Sequence, residues 1–314
     1  MKEIVVLGST NTDMVITADH LPVPGETICD GSFKMHPGGK GANQAVAVSR
    51  LSSSPGACEF IAKVGDDLFG RETGDRLRKD GIVAKLVVDH DNASGTALIL
   101  VDSSGQNVIS VALGANGTLS ADDIAPYMDD ICAAKVLLMQ LETPIPTVAA
   151  AAACAHAAGT TVVLNPAPAA KLPRSLLENV DWITPNETEA EMLTGVKVTD
   201  AASAKAAAES LKALGVGHVL ITMGSKGCYC ADTDTVYPCR PVKAVDCVAA
   251  GDTFNGGFVV ALAEGWPVAD AIEFGQKAAA ISVTRVGAQP SVPYRDEIDA
   301  FGQCAGPADG NAES

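Results

Sequence analysis

An aspartate beside a run of small residues is the feature of this sequence with the clearest chemical meaning. Residues 249–257 read AAGDTFNGG, so that Asp252 follows Ala249, Ala250 and Gly251, and a helical pattern at residues 258–263 follows directly. Small residues let a ligand approach the backbone, and unpartnered N–H groups at a helix start form an anion site. Asp252 would repel an anion, but as a base it would take a proton while the N–H groups stabilise charge on a transferring group. This pattern indicates phosphoryl transfer; the alternative is that Asp252 only caps a helix and the glycines only relieve packing.

A second glycine-rich run surrounds a lysine. Residues 37–44 read PGGKGANQ, and a helical pattern begins within this run and covers residues 42–49. No Gly-Lys pair here is followed by Ser or Thr, so the run is not a Walker loop. Asn43 can both donate and accept hydrogen bonds, as a polyol ligand requires. The run is typical of a ligand-binding loop, or of a flexible hinge that carries an exposed Lys40.

An amide and a carboxylate are spaced to face one ligand near the N-terminus. Asn11 and Asp13 follow Gly8-Ser9-Thr10, and we expect them to end the first strand. Alternate positions of an extended segment face the same side, so the pair suits adjacent sugar hydroxyls. Ordinary turn chemistry is the alternative, since Asn and Asp are common in turns.

Two later motifs are suited to a nucleotide. Residues 186–189 read NETE after a strand pattern, which places Glu189 about one helical turn from Asn186. Glu189 could hold a hydrated magnesium ion near phosphate, although the same residues would also make an N-cap. Residues 222–227 read TMGSKG after another strand pattern and predict a turn whose backbone contacts a nucleotide.

Alternation of strands and helices predicts how these motifs are positioned. From about residue 133 onward, short apolar strands alternate with helical patterns, with strands expected at 136–139, 161–164, 182–184 and 218–222. Continuous apolar strands separated by helices predict an α/β fold: a doubly wound, mainly parallel central sheet with helices on both faces. Ligands collect at the carboxyl ends of such strands, where Asn165, Asn186 and Gly224 are expected.

Two early segments depart from this rhythm. Residues 14–33 and 94–112 resemble antiparallel strands with turns, the second turning at residues 102–105. They predict a small projecting β-sheet that acts as a lid over the strand ends. The expected division is a core of residues 1–12, 39–91 and 113–305, a lid of residues 13–38 and 92–112, and a disordered tail at 306–314.

Composition excludes several classes of function. The formal net charge of the 314-residue chain is −16, which argues against nonspecific nucleic-acid binding. Its nine cysteines lack a metal-ligand rhythm and are expected to be reduced thiols. The uncharged stretch at residues 143–170 is rich in alanine and contains three prolines before residue 167, so it predicts a buried helix, a turn and a strand rather than a membrane span. We expect a soluble, cytoplasmic protein with no membrane partner.

The motifs together resemble the signatures of the ribokinase family of carbohydrate kinases. Residues 38–45, 186–189 and 249–255 match these signatures in order and spacing. The similarity extends from VLGS (residues 6–9) through LMQLE (138–142) and NPAPA (165–169) to GAQPSVP (287–293). A joint pattern across nearly the whole chain is far more specific than any single motif.

The resemblance implies a role for each matching residue. The pentose would be held by Asn11, Asp13, Gly39, Lys40, Gly41, Asn43, Glu142 and Asp252. Asp252 would be the catalytic base, with Ala249, Ala250, Gly251 and Asp252 forming the anion hole. The nucleotide would contact Asn186, Thr222, Gly224, Ser225, Lys226, Gly227, Gly251 and Gln276, and Glu189 would hold Mg²⁺ through water. A monovalent-cation site, usually occupied by K⁺, would be formed by Asp246, Val248, Ser282, Arg285, Gly287 and Ser291.

The implied reaction is phosphorylation of D-ribose by ATP at O5, with Mg²⁺ and an activating K⁺. A kinase of the same family acting on deoxyribose, another sugar or a nucleoside such as adenosine is the nearest alternative, and a sugar-binding protein without catalysis is a more distant one. The segment Asp246-Cys247-Val248 departs from the commoner Asp-Thr pair at its second position. The resemblance also implies a homodimer formed through the lid sheets, whose exposed edges invite pairing with a second copy.

Overall fold

The computed structural model describes residues 3–303, and their strands form two sheets. The strands are β1 (Ile4–Leu7), β2 (Asn11–Thr17), β3 (Ser32–Gly38), β4 (Cys58–Gly65), β5 (Val83–Asp89), β6 (Gly95–Val101), β7 (Asn107–Ala112), β8 (Val136–Met139), β9 (Thr161–Leu164), β10 (Trp182–Ile183), β11 (His218–Thr222), β12 (Cys228–Cys230) and β13 (Thr235–Tyr237). The α-helices are α1 (Lys40–Leu51), α2 (Leu68–Lys79), α3 (Ala121–Ile124), α4 (Met128–Ala133), α5 (Ile145–Ala158), α6 (Arg174–Leu177), α7 (Glu187–Thr194), α8 (Ala201–Ala213), α9 (Ala250–Ala263), α10 (Val268–Ser282) and α11 (Arg295–Gln303).

The large sheet has nine strands in the order β13-β12-β11-β10-β9-β8-β1-β4-β5. The seven strands from β11 to β5 are parallel, and β12 and β13 continue the sheet as an antiparallel edge. Four predicted strands are found, three of them with the expected bounds, while β10 ends one residue early at Ile183. The predicted mainly parallel sheet is confirmed.

Helices cover both faces of this sheet, and strand β1 shows how. Ile4 and Val6 belong to one buried cluster with residues of α1, α9 and α10, whereas Val5 and Leu7 belong to a second with residues of α5 and α8. Successive side chains of a strand point to opposite faces, so a strand that is apolar at every position needs a layer on each side. The doubly wound architecture follows from this pattern.

Helix α9 begins at Ala250, eight residues before the helical pattern that the sequence suggested. The early glycines are therefore inside the helix, where their intrinsic propensity is poor. A Cβ added at Gly256 would lie 2.3 Å from the Cβ of Ala47 in α1, and one added at Gly257 would lie 3.0 Å from the Cα of Gly275 in α10. Close packing of three helices explains these glycines.

The small sheet has four strands in the order β3-β2-β6-β7. Its two outer pairs are antiparallel, as expected, but they join through a parallel pairing of β2 with β6. The expectation that Asn11 and Asp13 end the first strand was wrong. Strand β1 stops at Leu7, and both residues lie in β2, because the chain leaves the large sheet at Gly8. They still occupy alternate positions and share one face of the small sheet.

The uncharged stretch at residues 143–170 folds as predicted into α5, a left-handed turn at Gly159 and β9. Within residues 3–303, no helix is both long enough and apolar enough to span a bilayer. The predicted tail at 306–314 lies outside the described residues.

Candidate active site

Polar side chains from distant parts of the chain meet at the carboxyl ends of the parallel strands. Ser9, which follows β1, donates to Glu142, which follows β8, with 2.5 Å between Oγ and Oε2. Gln44 of α1 donates to Asn165, which follows β9, and Asn43 donates to Asp252 of α9. The edge where ligands bind in parallel α/β sheets is therefore built of hydrogen-bonded groups.

The glycines around Lys40 let the chain pack against itself. A Cβ at Gly39 would lie 2.7 Å from the Cα of Thr10, and one at Gly41 would lie 2.5 Å from the backbone nitrogen of Ser9. Gly39 also has a φ of +89°, which disfavours other residues. These contacts bring the start of α1 against the β1–β2 connection, whereas the sequence had suggested that the glycines make room for a ligand.

Glu142 lies at the N-terminus of α1. Its Oε2 accepts from the backbone N–H of Lys40 at 2.9 Å as well as from the Ser9 hydroxyl. A carboxylate is stabilised there by the unpartnered N–H groups and the helix dipole. The Oε1 atom remains available to accept a bond from a substrate hydroxyl.

Asn11 is oriented by Asn116, a fully buried residue to which the sequence gave no role. The Asn116 amide accepts from the Thr10 N–H at 3.0 Å and donates to the Thr10 carbonyl and to Oδ1 of Asn11 at 2.9 Å. With its oxygen engaged, Asn11 presents an NH₂ group, so it acts as a donor toward a ligand.

Asp13 lies on the same face of β2 as Asn11. Burial and the nearby charge of Glu142 raise the pKa of the Asp13 carboxyl to about 6. Hydrogen bonds from sugar hydroxyls would stabilise the charged form of Asp13, so this carboxyl is suited to accept them.

Lys40 is the cation of the site. Burial lowers the pKa of its ammonium, but the carboxylates of Asp252, Glu142 and Glu189 outweigh burial and raise that pKa above its usual value. Lys40 therefore remains charged among three acids contributed by different elements, where it can also attract an anionic ligand.

Asp252 is buried in the first turn of α9. Its Oδ2 accepts from Asn43 Nδ2 at 3.0 Å and its Oδ1 accepts from Gln44 Nε2 at 2.9 Å. Burial raises the pKa of the carboxyl, while Lys40 and the two amide donors oppose that rise. A carboxylate with a raised pKa and fixed orientation is suited to act as a general base.

The start of α9 has the geometry of an anion hole. Ala249 precedes the helix in the left-handed conformation, with a φ of +60°, which is uncommon for a residue other than glycine. Within residues 3–303, the backbone N–H groups of Gly251 and Asp252 meet no acceptor. A Cβ at Gly251 would meet no atom within 4 Å, so here the missing side chain does leave room for a ligand.

Asn186 and Glu189 form a reciprocal capping box at the start of α7. Asn186 Oδ1 accepts from the Glu189 N–H at 2.8 Å, and Glu189 Oε2 accepts from the Asn186 N–H at 2.9 Å. The N-cap interpretation is therefore correct, and it leaves Oε1 of Glu189 for a further ligand. Burial raises the pKa of this carboxyl, against the effect of Lys40.

The predicted nucleotide turn lies directly beside Asn186. Thr222 at the end of β11 bridges Asn186, and a short 3-10 turn follows at Gly224–Lys226. The Lys226 ammonium contacts the Thr199 carbonyl at 3.1 Å and Glu187, the first residue of α7, at 3.5 Å. Gly224, Ser225 and Lys226 are exposed, so a ligand can reach this part of the turn. Gly227 is buried, its N–H donates to the Gly224 carbonyl, and its own carbonyl accepts from the Met223 N–H.

Gln276 of α10 lies behind the same strands. Its Nε2 donates to the Tyr237 carbonyl at 2.8 Å and to Cys228 Sγ at 3.4 Å. The amide nitrogen is therefore bonded to protein groups of the β12–β13 edge.

The two segments of the predicted cation site are held together by Asp246. Its Oδ1 accepts from the Val248 N–H at 3.0 Å and its Oδ2 accepts from the Gly287 N–H at 2.8 Å. The Ser291 and Ser282 hydroxyls donate to Ala288 and Ala279, and the Arg285 guanidinium pairs with Glu297. Both carboxylate oxygens of Asp246 therefore accept from backbone N–H groups. The predicted ligands offer carboxylate, hydroxyl and carbonyl oxygens, which are the donor types that suit a hard cation such as K⁺. Within residues 3–303, no cluster of three or more His, Cys, Asp or Glu side chains has the arrangement of a metal site.

The sequence did not identify three residues that organise the site. Gln44 was visible within the PGGKGANQ run, and Gln140 within LMQLE, but neither had a signal that distinguished it from a packing residue. Asn116 lies in no motif. All three are fully buried, and only the folded chain shows what their amides contact.

Comparison with known proteins places this geometry in a family. The model of the pfkB family of carbohydrate kinases matches residues 1–295. The chain is 44% identical to a ribokinase of Haemophilus influenzae over 303 residues, covering 96% of this chain and 98% of that one. It is 36% identical to a deoxyribokinase of Salmonella typhi over 303 residues, covering 95% and 98%. The structure of Arabidopsis thaliana ribokinase complexed with ribose and ATP superimposes with a TM-score of 0.87 at 31% identity, covering 95% of this chain and 98% of that one.

Proposed function

The chain belongs to the pfkB family of carbohydrate kinases, and we propose that it transfers the γ-phosphoryl group of ATP to O5 of D-ribose, giving ribose 5-phosphate. The observation that carries this proposal is the buried carboxylate of Asp252, which Asn43 and Gln44 fix beside free N–H groups at the start of α9. Relatives named ribokinase, identical at about 40% of positions over nearly the full chain, support the choice of sugar.

In the proposed reaction, the sugar is positioned by groups of known polarity. Asn11 donates, Glu142 and Asp13 accept, and Lys40 donates from the start of α1. Asp252 takes the proton of the attacking O5 hydroxyl, and the N–H groups of Gly251 and Asp252 stabilise charge on the transferring phosphoryl group. Phosphoryl transfer depends mostly on such positioning and charge stabilisation.

The nucleotide would lie along the turn after β11 and across the start of α7. We propose that Mg²⁺ enters with ATP and is held through water by Glu189, beside Asn186. Held there, Mg²⁺ would supply positive charge that offsets the charge of the phosphate groups. The exposed turn backbone at Gly224, Ser225 and Lys226 would contact ATP, together with Thr222 at the end of β11. Gly227 is buried and closes the turn, and Gln276 lies behind it.

A magnesium test can separate the capping role of Glu189 from its proposed ligand role. Glu189→Gln keeps an oxygen acceptor for the Asn186 N–H, so we expect the free energy of unfolding to change by less than about 0.5 kcal/mol. Its carboxylate charge is lost, so the Mg²⁺ concentration that gives half-maximal activity rises. An unchanged Mg²⁺ dependence in a folded variant contradicts the ligand role.

Asp246 and the carbonyl groups around it are proposed to bind an activating K⁺. The cation would order the segment that leads into Ala249 and α9. The test is activity in K⁺, Na⁺ and neither: the native chain is expected to be activated by K⁺, and Asp246→Ala to lose that response. Cys247 replaces the commoner threonine, so Cys247→Thr reports whether this position tunes the cation preference.

The small sheet is proposed to be a lid, with residues 13–38 and 92–112 moving relative to the core. Asp13 lies on the inner face of this sheet, next to Asn11 at the start of β2, so closure over the sugar would exclude water from the transfer. We also propose a cytoplasmic location. The eight cysteines within the described residues are all free thiols, as a reducing compartment maintains.

The same small sheet supports the proposed homodimer. The strand registers place Met14, Ile16, Phe33, Met35, Leu98, Leu100 and Val108 on one face, which we call the outer face. Phe33, Met35 and Leu98 are more than half exposed there. Asn11 and Asp13 lie on the opposite face, so a second copy could cover the outer face without covering the sugar site.

The deciding experiment is a substrate panel. Ribose, 2-deoxyribose and adenosine are each supplied with ATP, Mg²⁺ and K⁺, and ADP formation is measured. We expect ribose to give the highest kcat/KM, because a site built to bond a hydroxyl rejects the analogue that lacks it. A preference for 2-deoxyribose would favour the specificity of the deoxyribokinase relative, and no sugar-dependent ADP would indicate a binding protein.

Asp252→Asn tests the base directly. The substitution keeps the volume but removes the proton acceptor, and kcat on ribose is expected to fall by about 10² or more. Ribose affinity measured by calorimetry is expected to change much less. Near-native turnover by this variant would overturn the assignment of the base.

A further inference from the structure

Behind Asp252 lies a chain of buried amides that the proposed reaction does not use. We call Gln140, Gln44 and Asn165 the amide chain. Gln140 and Gln44 are fully buried, and Asn165 is 7% exposed. Gln140 donates to Oε1 of Gln44 at 2.6 Å, Gln44 donates to Oδ1 of Asn165 at 3.0 Å, and Asn165 donates to the Thr184 carbonyl at 3.1 Å.

The Thr184 carbonyl sets the direction of every bond in this chain. A backbone carbonyl can only accept, so Asn165 must turn its NH₂ group toward Thr184 and its oxygen toward Gln44. Gln44 must then present its own NH₂ group to Asn165, and its oxygen faces Gln140. The second hydrogen of that same NH₂ group points to Oδ1 of Asp252, 2.9 Å away.

Gln44 can therefore act only as a donor to Asp252. Asn43, its neighbour in α1, donates to the other carboxylate oxygen, and its own oxygen accepts from Gln289 at 3.3 Å. Both carboxylate oxygens face amide hydrogens, an arrangement that matches the ionised form and penalises the protonated one. We propose that Gln44 is a positioning residue, whose anchored amide holds Asp252 as an oriented carboxylate ready to receive the substrate proton.

This inference rests on the proposed function, because it assumes that Asp252 is the base. Other charges also act on Asp252: Lys40 from α1 favours its ionisation, whereas Glu142 from the segment after β8 and Glu189 from α7 oppose it. Burial raises the pKa of Asp252, and the Gln44 donor counteracts that rise. Loss of the donor must therefore move ionisation of Asp252 to higher pH.

The test is the pH dependence of kcat at saturating ribose, which reports groups of the bound complex. Gln44→Leu removes the donor at similar volume, and we expect the acid limb of the profile to move up by about one pH unit, equivalent to about tenfold in the ionisation constant. Gln44→Glu places an acceptor against Asp252 at nearly identical volume, and its limb is expected to move at least as far. If Gln44→Leu does not fold, the acid limb of Gln44→Glu alone tests the positioning role of Gln44.

Gln140→Leu is the matched control. It removes an equally buried glutamine that donates to Gln44 and has no hydrogen bond to Asp252. Its acid limb is expected to stay within about 0.3 pH unit of the native one, since Asn165 still orients Gln44. Thermal unfolding of each variant verifies that it is folded.

The outcomes separate this inference from the proposed function. If Asp252→Asn retains near-native turnover, the assignment of the base fails, whatever the Gln44 variants do. If Asp252→Asn is inactive while both Gln44 variants keep the native acid limb, only the positioning role is overturned. Equal shifts in the Gln140 and Gln44 variants would also overturn it, because a general loss of packing would then explain the effect.

Discussion

The carboxyl group of Asp13 shows how a residue that is placed to bind a ligand can lower the stability of the folded protein. Its pKa of about 6 lies above that of an aspartate in an unfolded chain, because burial and Glu142 disfavour the charge. The folded protein then binds more protons than the unfolded one between about pH 4 and pH 6, so stability from this residue falls as pH rises through that window. Above pH 6 the full cost, up to about 3 kcal/mol, is present.

Asp13→Asn is therefore expected to stabilise the ligand-free protein and weaken its substrate binding. At pH 8 the free energy of unfolding should rise by about 1–3 kcal/mol, and the gain should shrink toward pH 4, where the native aspartate is itself neutral. The KM for ribose should rise about tenfold or more, because an acceptor for sugar hydroxyls is lost. Thermal unfolding at both pH values and steady-state kinetics measure the two effects. Asp30→Asn, at an exposed position of the small sheet's connection, is the control, and an equal gain there would rule out burial as the cause.

At the scale of the element, helix α9 combines packing glycines with a functional one. Gly256 contacts Ala47 of α1, while Gly251 faces open space at the proposed anion hole. The two positions lie five residues apart in one helix. Both residues are glycine and have the same intrinsic helix propensity, so their different roles come from their surroundings.

Alanine substitutions at these two glycines are expected to have opposite effects. Gly256→Ala should lower the free energy of unfolding by about 1–3 kcal/mol, because the new methyl group overlaps Ala47. Gly251→Ala should leave stability unchanged or raise it by up to about 1 kcal/mol, yet reduce kcat by about tenfold or more, because its methyl group enters the space beside the N–H groups. Chemical denaturation and kinetics distinguish them. If Gly251→Ala keeps native kcat, that space is not used by the transferring group.

At the scale of the whole molecule, the outer face of the small sheet is an exposed apolar surface that the described residues of the single chain do not cover. Its exposed apolar side chains come from all four strands, and the site residues lie on the reverse face. Association through this face would couple the two lids and thereby the two active sites.

A charge placed on the outer face is expected to separate the proposed dimer. Leu98→Glu puts a carboxylate at a central position of this face, where burying it between two copies is costly. Light scattering should give twice the chain mass for the native protein and the mass of one chain for the variant. Val23→Glu alters a residue that is 63% exposed and lies outside the strands, so it should leave the mass unchanged. A native protein that is monomeric at micromolar concentration contradicts the proposal.

Much of the architecture was available from sequence because it depends on local patterns. Strands β8, β9 and β11 are apolar at nearly every position, which only a doubly covered parallel sheet accommodates, and their bounds were predicted to the residue. The start of α9 was not predicted correctly, because glycine has a poor helix propensity. The helix includes these glycines because they allow close contacts with Ala47 and Gly275. The parallel pairing of β2 with β6 also depends on contacts between segments about 80 residues apart.

The sequence by itself determined which chemical groups this protein has at the ends of its strands: the acid of AAGDTFNGG, the lysine of PGGKGANQ and the cap of NETE. Tertiary structure decided how those groups are held. Gln44 donates to Asp252 only because Asn165 is anchored on the Thr184 carbonyl, and Asn11 presents its NH₂ group only because Asn116 binds its oxygen. The direction of an amide depends on partners that are distant in sequence, so no local pattern encodes it.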